Sequence, residues 1–240
     1  MFVKAYFDIH THIVPGVDDG ADSLEESLEM ISQMREQGVL NIVATPHYPD
    51  GKTEKIKDAF DMLKKSVEDK YPDMKLYLGN ELLNGPGVIE ALKDKKALTI
   101  ADTKYILVEF LPGDSQRKIY SALREYILEG YIPIVAHVER YEALHKNYDF
   151  LDEIINMGAY IQMNTESLVG GMFDRRAAYC RKLLENGYIH FLGSDCHGAQ
   201  KRRPLMKHAI EKLKPGFVNS KLAEKILFEN PIKMLDGKYI

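Results

Sequence analysis

The chain has 240 residues, 45% of them hydrophobic, and no Ser-, Pro- or Gly-rich linker divides it, so one domain spanning residues 1–240 is expected. Its 32 basic and 36 acidic side chains leave a formal charge of −4. No Lys/Arg block is long enough to form the basic face that salt-dependent binding of nucleic acid requires, and nucleic-acid partners are excluded on that ground.

In chain order, short apolar runs rich in Val, Ile, Tyr and Phe alternate with helical patterns. Ala5–Ile9 reads as the first strand. Ser23-Leu24-Glu25-Glu26 has the form of a capping box, and Leu24, Leu28 and Ile31 then share one helical face up to Gly38. Strand runs at Leu40–Ala44 and Lys75–Gly79 flank a helix over Lys52–Lys70, and Lys104–Phe110 precedes a helix over Ser115–Glu129. Ile132–Ala136 is followed by a helix at Tyr148–Met157, Ala159–Met163 by one at Asp174–Asn186, and Ile189–Gly193 is the seventh run. A final helix over Asn219–Phe228 stops before Pro231. Gly38, Gly130 and Gly158 close three of these helices, where a left-handed cap residue is easily accommodated. Strands alternating with helices imply a parallel sheet with helices outside, and seven units suggest an α/β barrel one strand short of the usual eight.

The N-terminus meets charged residues too soon for a signal peptide, and no apolar run approaches the roughly 18 residues of a membrane span, so no membrane insertion is expected. Cys180 and Cys196 are the only cysteines, and neither is in a C-x-x-C pair. Such sparse usage suits a reducing, cytoplasmic setting.

The chemistry is concentrated where the strands end, the face that carries active sites in β/α barrels. The first strand ends in Asp8-Ile9-His10-Thr11-His12, with Asp19 in the following loop. Next come Thr45-Pro46-His47, Asn80-Glu81, Glu109, His137 and Ser194-Asp195-Cys196-His197. Period-two spacing puts His10 and His12 on one side of an extended segment, and Asp195 and His197 repeat that geometry. A lone His pair is weak evidence, but coincidence across six strand ends points to bound metal. The nine candidates are nitrogen and oxygen donors, which favours Mn, Fe or Zn over a thiolate-rich structural site. Closely spaced ions of this kind are a common device for hydrolysing phosphate esters.

The motifs D-I-H-T-H (8–12), G-V-D-D-G (16–20), A-T-P-H (44–47), N-E (80–81), E-F (109–110), H-V-E-R-Y (137–141) and S-D-C-H (194–197) resemble those of the polymerase and histidinol phosphatase superfamily. Within it they are most similar to the bacterial protein-tyrosine phosphatases of capsule and exopolysaccharide gene clusters. The resemblance implies a distorted seven-stranded (β/α)7 barrel and three divalent metal ions, Mn foremost with Fe or Zn as alternatives. It puts His10, His12, Glu81 and Asp195 on the first ion, and Glu81, Glu109 and His137 on the second, with Glu81 bridging. Asp19, His47 and His197 hold the third, and Arg140 and Arg202 match the phosphate-binding arginines. The implied substrate is a phosphotyrosine protein, namely a bacterial tyrosine kinase of polysaccharide biosynthesis. Tyr48, Val138 and Gly198 depart from the commonest pattern without removing a ligand.

Several readings compete. Cys196 to Arg202 satisfies the C-x5-R spacing of cysteine-dependent phosphatases, but Ala199 stands where those loops carry Gly, and the match reads as coincidence. Asp18 reads as an acidic turn residue, and Arg140 could simply pair with Glu139 or Glu142. His145, His190 and His208 match no motif and read as solvent-facing or locally bonded. On the same fold, a histidinol-phosphate or other small-molecule phosphatase is the runner-up. A metal-dependent nuclease is disfavoured by the acidic balance, and a non-catalytic regulatory partner by the complete ligand set.

Overall fold

The computed structural model describes residues 5–48, 52–170, 174–213 and 219–240. All seven apolar runs form strands, and every strand pairing is parallel. The strands are β1 (Tyr6–Thr11), β2 (Val39–Ala44), β3 (His47–Tyr48), β4 (Lys75–Leu78), β5 (Glu81–Leu83), β6 (Tyr105–Glu109), β7 (Ile132–Val135), β8 (Tyr160–Asn164) and β9 (Phe191–Gly193). The α-helices are α1 (Leu24–Glu36), α2 (Thr53–Lys70), α3 (Val88–Lys93), α4 (Gln116–Leu128), α5 (Tyr148–Met157), α6 (Arg175–Glu185), α7 (Met206–Lys212), α8 (Ser220–Glu224) and α9 (Asn230–Leu235). None of them is long and apolar enough to cross a membrane.

The strand count departs from seven. β3 and β5 are short pieces that follow β2 and β4 after breaks at Thr45-Pro46 and Gly79-Asn80. The described strands form two sheets, ordered β1-β2-β4 and β3-β5-β6-β7-β8-β9, rather than one seven-stranded sheet. The result is an α/β fold in which a curled parallel sheet forms a half-barrel. At its seam β1 meets the chain after β9: Asp195 N–H donates to the His10 carbonyl at 2.8 Å, and His12 N–H to that of Cys196 at 3.0 Å.

Alternation along the strands divides the apolar residues into two layers. Outside, Ile106, Val108, Ile161 and Met163 meet Ile119, Leu123, Leu151, Ile154 and Leu183 of the covering helices. On the other side of the fold, Met30, Ile31 and Met34 of α1 and Ile56, Leu63 and Val67 of α2 cover Val39, Ile42 and Leu76. Inside, Ile9, Val43, Leu107, Ile134 and Phe191 fill the concave face. Each such side chain contributes about 1.5–3 kcal/mol on full burial, so both layers are needed to hold the curl.

The helix ends largely follow the sequence. Ser23 Oγ accepts from Glu26 N–H at 3.2 Å, but the reciprocal half of the capping box is missing. Glu26 instead accepts from Asp22 N–H at 3.0 Å and from Ala199 N–H at 3.2 Å, tying α1 to the loop after β9. The last helix does not stop before Pro231. α8 runs into a π-helical turn, Lys225–Glu229, and α9 continues with Pro231 in its first turn. A first-turn proline lacks only an N–H that needs no partner there, which lets the chain stay helical past it.

Candidate metal centre

Alternation explains how one strand face serves both core and chemistry. Along β6 the inward residues are Tyr105, Leu107 and Glu109, and along β9 and beyond they are Phe191, Gly193 and Asp195. In β1 the phase changes. Asp8 lies opposite Ile42 but Thr11 opposite Ala44, so three steps of β1 span two of β2. This bulge moves the inward set from Phe7 and Ile9 to His10 and His12. Gly193 is required opposite it, because a Cβ there would lie 2.5 Å from that of His10.

All nine sequence-predicted ligands converge. Glu81 is central: its Oε2 lies 3.1 Å from His10 Nε2, 3.2 Å from His12 Nε2 and 3.2 Å from His47 Nδ1. Its Oε1 lies 2.8 Å from His137 Nε2, and Glu109 Oε1 is 3.4 Å from the same nitrogen. Asp19 Oδ1 is 3.4 Å from His47 Nε2 and 3.3 Å from His197 Nε2. Ligand atoms within 4.8 Å of one another form three groups: His10-His12-Glu81-Asp195, His12-Asp19-His47-His197 and His47-Glu81-Glu109. Glu81 belongs to two groups and Glu109 to one, which favours Glu81 as the shared carboxylate.

The electrostatics follow from packing carboxylates and imidazoles out of water. Burial alone would raise Glu81 and Asp195, but the His10 charge and hydrogen bonds from the histidines outweigh it and hold both well below the carboxylate range. Burial alone would lower His137, yet hydrogen bonds to Glu109 and Glu81 push it up to about 9. His197 goes the other way, down to about 4, through burial and the nearby His12 charge. Its Nε2 is buried with no hydrogen-bond partner, although Asp19 lies near. Two ring nitrogens, His10 Nε2 and His12 Nε2, also face each other at 3.3 Å. An orphaned imidazole nitrogen, facing nitrogens and converging carboxylates fit divalent cations on nitrogen and oxygen donors.

Both predicted arginines reach this cluster. Arg140 Nη2 donates to Asp195 Oδ2 at 2.5 Å, and Arg202 Nη2 to Oδ1 at 3.1 Å. Arg140 therefore does not pair with Glu139 or Glu142. His137, Asp195 and Arg202 all have positive φ, at 29°, 53° and 50°, an unfavourable backbone for these side chains and one that gathers at functional sites.

Several supporting residues were not foreseen. Asp18 is no plain turn residue: it accepts from His12 Nδ1 at 2.8 Å, from His47 N–H at 3.0 Å and from Gly20 N–H at 3.0 Å. Burial raises it, but the His12 bond and charge prevail and bring it down to about 2. β8, the strand without a charged ligand, supplies neutral amides. Gln162 Oε1 lies 3.2 Å from His10 Nδ1 and accepts from His137 N–H at 2.7 Å. Asn164 Nδ2 donates to Asp195 Oδ2 at 2.8 Å, and Tyr141 Oη is 3.2 Å from His137 Nδ1. The period-two Gln-x-Asn at 162 and 164 was the available signal, the same spacing as His10 and His12.

Cys196 is fully buried among apolar residues, and burial pushes its thiol well above the usual range. A thiolate nucleophile needs the opposite environment. His190 and His145 are held locally: His190 Nδ1 accepts from Ile161 N–H at 3.2 Å, and His145 packs on Tyr179 at 4.4 Å between centroids. His208 is exposed.

This arrangement has known relatives. The tyrosine-protein phosphatase CpsB of Streptococcus agalactiae serotype V is 35% identical over 245 residues, covering 97% of this chain and 99% of that protein. The tyrosine-protein phosphatase YwqE of Bacillus subtilis is 33% identical over 214 residues, covering 88% and 84%. Among solved structures, one from a study of Bacillus subtilis YwqE and Streptococcus pneumoniae CpsB, described as metal-dependent tyrosine phosphatases, superposes with a TM-score of 0.88. It shares 32% identity and covers 98% of this chain and 96% of that one. The family model for capsular polysaccharide synthesis, CpsB/CapC, matches residues 6–236, and the chain belongs to that family.

Proposed function

We propose that this protein is a metal-dependent phosphatase of tyrosine-phosphorylated proteins in capsular polysaccharide synthesis, acting on a bacterial tyrosine kinase in the cytoplasm. The observation that carries the reading is the convergence of nine nitrogen and oxygen donors around Glu81 at the strand ends. In this reading three divalent ions, Mn foremost, are held by His10, His12, Glu81 and Asp195, by Glu81, Glu109 and His137, and by Asp19, His47 and His197. Such ions acidify water and polarise phosphoryl oxygens when bound. β2–β3 and β4–β5 are taken as single interrupted strands, which makes the fold a distorted (β/α)7 barrel and residues 1–240 one domain.

The protein's own groups have separable tasks. Asp18, Gln162 and Tyr141 hold the ring nitrogens of His12, His10 and His137 that face away from the cluster, fixing tautomer and ring orientation. Arg140 and Arg202 meet at Asp195, and both guanidiniums are partly exposed at the site's mouth. From there they reach the equatorial oxygens of a bound phosphoryl group and stabilise charge that grows in the transition state. Tyr48 is half-buried beside His47, and Leu111 follows Glu109 with 53% exposure, an apolar rim suited to an aromatic ring. A phenolic leaving group, with a pKa of about 10, needs little help from a general acid.

Hydrolysis of an aryl phosphate should vanish on chelation and return with Mn, while Cys196→Ser keeps most activity. A dead Cys196→Ser variant beside a wild type that chelator leaves active would replace the metal reading with a cysteine one. kcat/KM should favour a phosphotyrosine peptide over a phosphoserine peptide and over histidinol phosphate; a tenfold win for histidinol phosphate would overturn the substrate assignment.

A further inference from the structure

Beside the metal centre lies a cavity of 790 Å³ that the proposed chemistry does not use. Its size is within the range of about 300–1,000 Å³ typical of ligand sites. Two chain segments supply most of its lining: the turn into α5, with Lys146 and Tyr148, and one face of α6, with Arg175, Arg176, Tyr179 and Lys182. Both segments follow the C-terminal ends of adjacent strands, β7 and β8, so the cavity opens on the face that carries His137 and Asn164.

The charge there is lopsided. In a protein of net charge −4, four cations line one cavity. Lys146, Arg175 and Lys182 are exposed and form no ion pair with a described residue. The one lining carboxylate, Glu139, is turned to other work: its Oε1 accepts from Ser167 Oγ at 2.6 Å and from Asn164 N–H at 3.1 Å. Arg176 Nη2 in turn donates to Ser167 Oγ at 2.7 Å, fixing the cavity wall to the strand end that holds Asp195. Glu139 directly precedes Arg140, so cavity and phosphate clamp are neighbours along the chain.

We infer that this cavity docks a carboxylate-rich segment of the substrate polypeptide, next to the phosphotyrosine. The inference rests on the phosphatase reading for the identity of the polypeptide, but not for the anionic character of its ligand. Two of the cations, Arg175 and Lys182, are spread out along α6 and do not sit side by side. Arg175 and Lys182 are two turns apart on α6, about 10 Å along its axis. An extended chain covers that in about three residues. Several Asp or Glu side chains in a row match this spacing, whereas a single phosphate is too small to span from Arg175 to Lys182. Tyr148 and Tyr179 supply apolar surface for the intervening side chains.

The test compares two phosphotyrosine peptides, one flanked by Asp and Glu and the other by Ser and Gln, with p-nitrophenyl phosphate as a substrate that cannot reach the cavity. The full chain is used in its Mn-loaded form. The acidic peptide should have the lower KM in the wild type, and added salt should erase the difference. Arg175→Glu with Lys182→Glu should raise KM for the acidic peptide about tenfold, the combined effect of reversing two exposed charges. Turnover of the neutral peptide and of p-nitrophenyl phosphate should not change. Equal KM values for both peptides in the wild type, or a loss that falls equally on p-nitrophenyl phosphate, would overturn the inference. Fluorescence anisotropy of the unphosphorylated acidic peptide requires no turnover. It should show binding that the double variant loses, and its absence would sink the docking site even if phosphatase activity is found. Conversely, a wild type that binds this peptide yet hydrolyses no aryl phosphate would remove the enzymatic reading alone.

Discussion

The two ends of the concave sheet face are built from the same strands and differ in almost everything else. At the lower end Tyr105 stacks on Tyr160 with centroids 6.0 Å apart, and Tyr160 meets Phe191 edge-on at 6.3 Å. Residues 238–240 cap this floor, with Tyr105 Oη donating to the Lys238 carbonyl at 2.7 Å and Tyr160 Oη to that of Ile240 at 3.2 Å. Two steps and four steps further along the same strands stand Glu109, Gln162, Asn164 and Asp195. The floor's polar atoms have partners, whereas among the described residues Asp8 Oδ2 and His197 Nε2 near the ligand cluster have none. The difference teaches where each free energy resides. The floor is packed and satisfied without charge; the mouth concentrates buried carboxylates, imidazoles and guanidiniums that hold one another in place, so its arrangement serves chemistry.

That division makes its largest prediction at the mouth. His10→Ala and Asp195→Ala should each lower kcat by several orders of magnitude, as loss of a group that acts as part of a unit does. The metal-free Asp195→Ala variant should melt below the metal-free wild type, because it leaves Arg140 and Arg202 without the buried carboxylate they share. An unchanged Tm would show that these buried pairs contribute nothing to the fold. Next in size, Arg140→Ala and Arg202→Ala should each cost on the order of 10²–10³ in kcat, the usual effect of losing one transition-state donor. Full activity in both variants, measured at saturating Mn, would show that the phosphate clamp lies elsewhere.

A smaller effect is expected one layer back. Asp18→Asn and Asn164→Ala leave every proposed ligand in place but release the groups that orient His12 and Asp195. Metal affinity or activity should fall by about 10–100-fold. Titration with Mn while following activity would separate weaker loading, a shifted midpoint, from slower chemistry at full loading. No change in either would reduce these residues to packing.

How much of this was legible in the sequence depended on length and charge. The seven strands were readable because runs such as Ile132–Ala136 and Tyr105–Val108 are apolar over four residues or more. β3 and β5, at two and three residues, are too short for periodicity to register, and the sheet they belong to depends on pairings made far along the chain. The charged ligands were readable because nine ionisable side chains at strand ends are improbable in a core. Asp18 and Gln162 were not. An acidic residue in a glycine loop looks like a turn, and a neutral amide looks like any polar strand residue; only folding places them behind a histidine. The bulge in β1 was invisible as well, since nothing in Asp8-Ile9-His10-Thr11 announces a one-residue slip against β2.

The smallest prediction belongs to the floor and has the opposite pH signature from the mouth. His190 precedes β9, its ring edge-on to Tyr160 at 5.1 Å and its Nδ1 accepting from Ile161 N–H. Burial pushes it down to about 4, and the positive charge of Lys225 adds to this. In the unfolded chain the imidazole titrates near 6.5. Between those values the unfolded state binds a proton that the folded state refuses, so stability is fully present above about pH 6.5 and declines as pH falls toward 4. The slope from this one group is no steeper than about 1.4 kcal/mol per pH unit. His137 at the mouth behaves in reverse in the metal-free protein. Its raised value stabilises below about pH 6.5, and that contribution is lost as pH rises through about 9. His190→Asn keeps a side-chain acceptor for the Ile161 N–H but cannot take up the proton. Urea unfolding of wild type and variant between pH 7 and pH 4 should give a stability difference that shifts steadily in the variant's favour as pH drops. A difference that stays constant across that window would mean the imidazole takes up its proton as readily in the fold as in the unfolded chain, and the floor would not be the satisfied, neutral end that its packing implies.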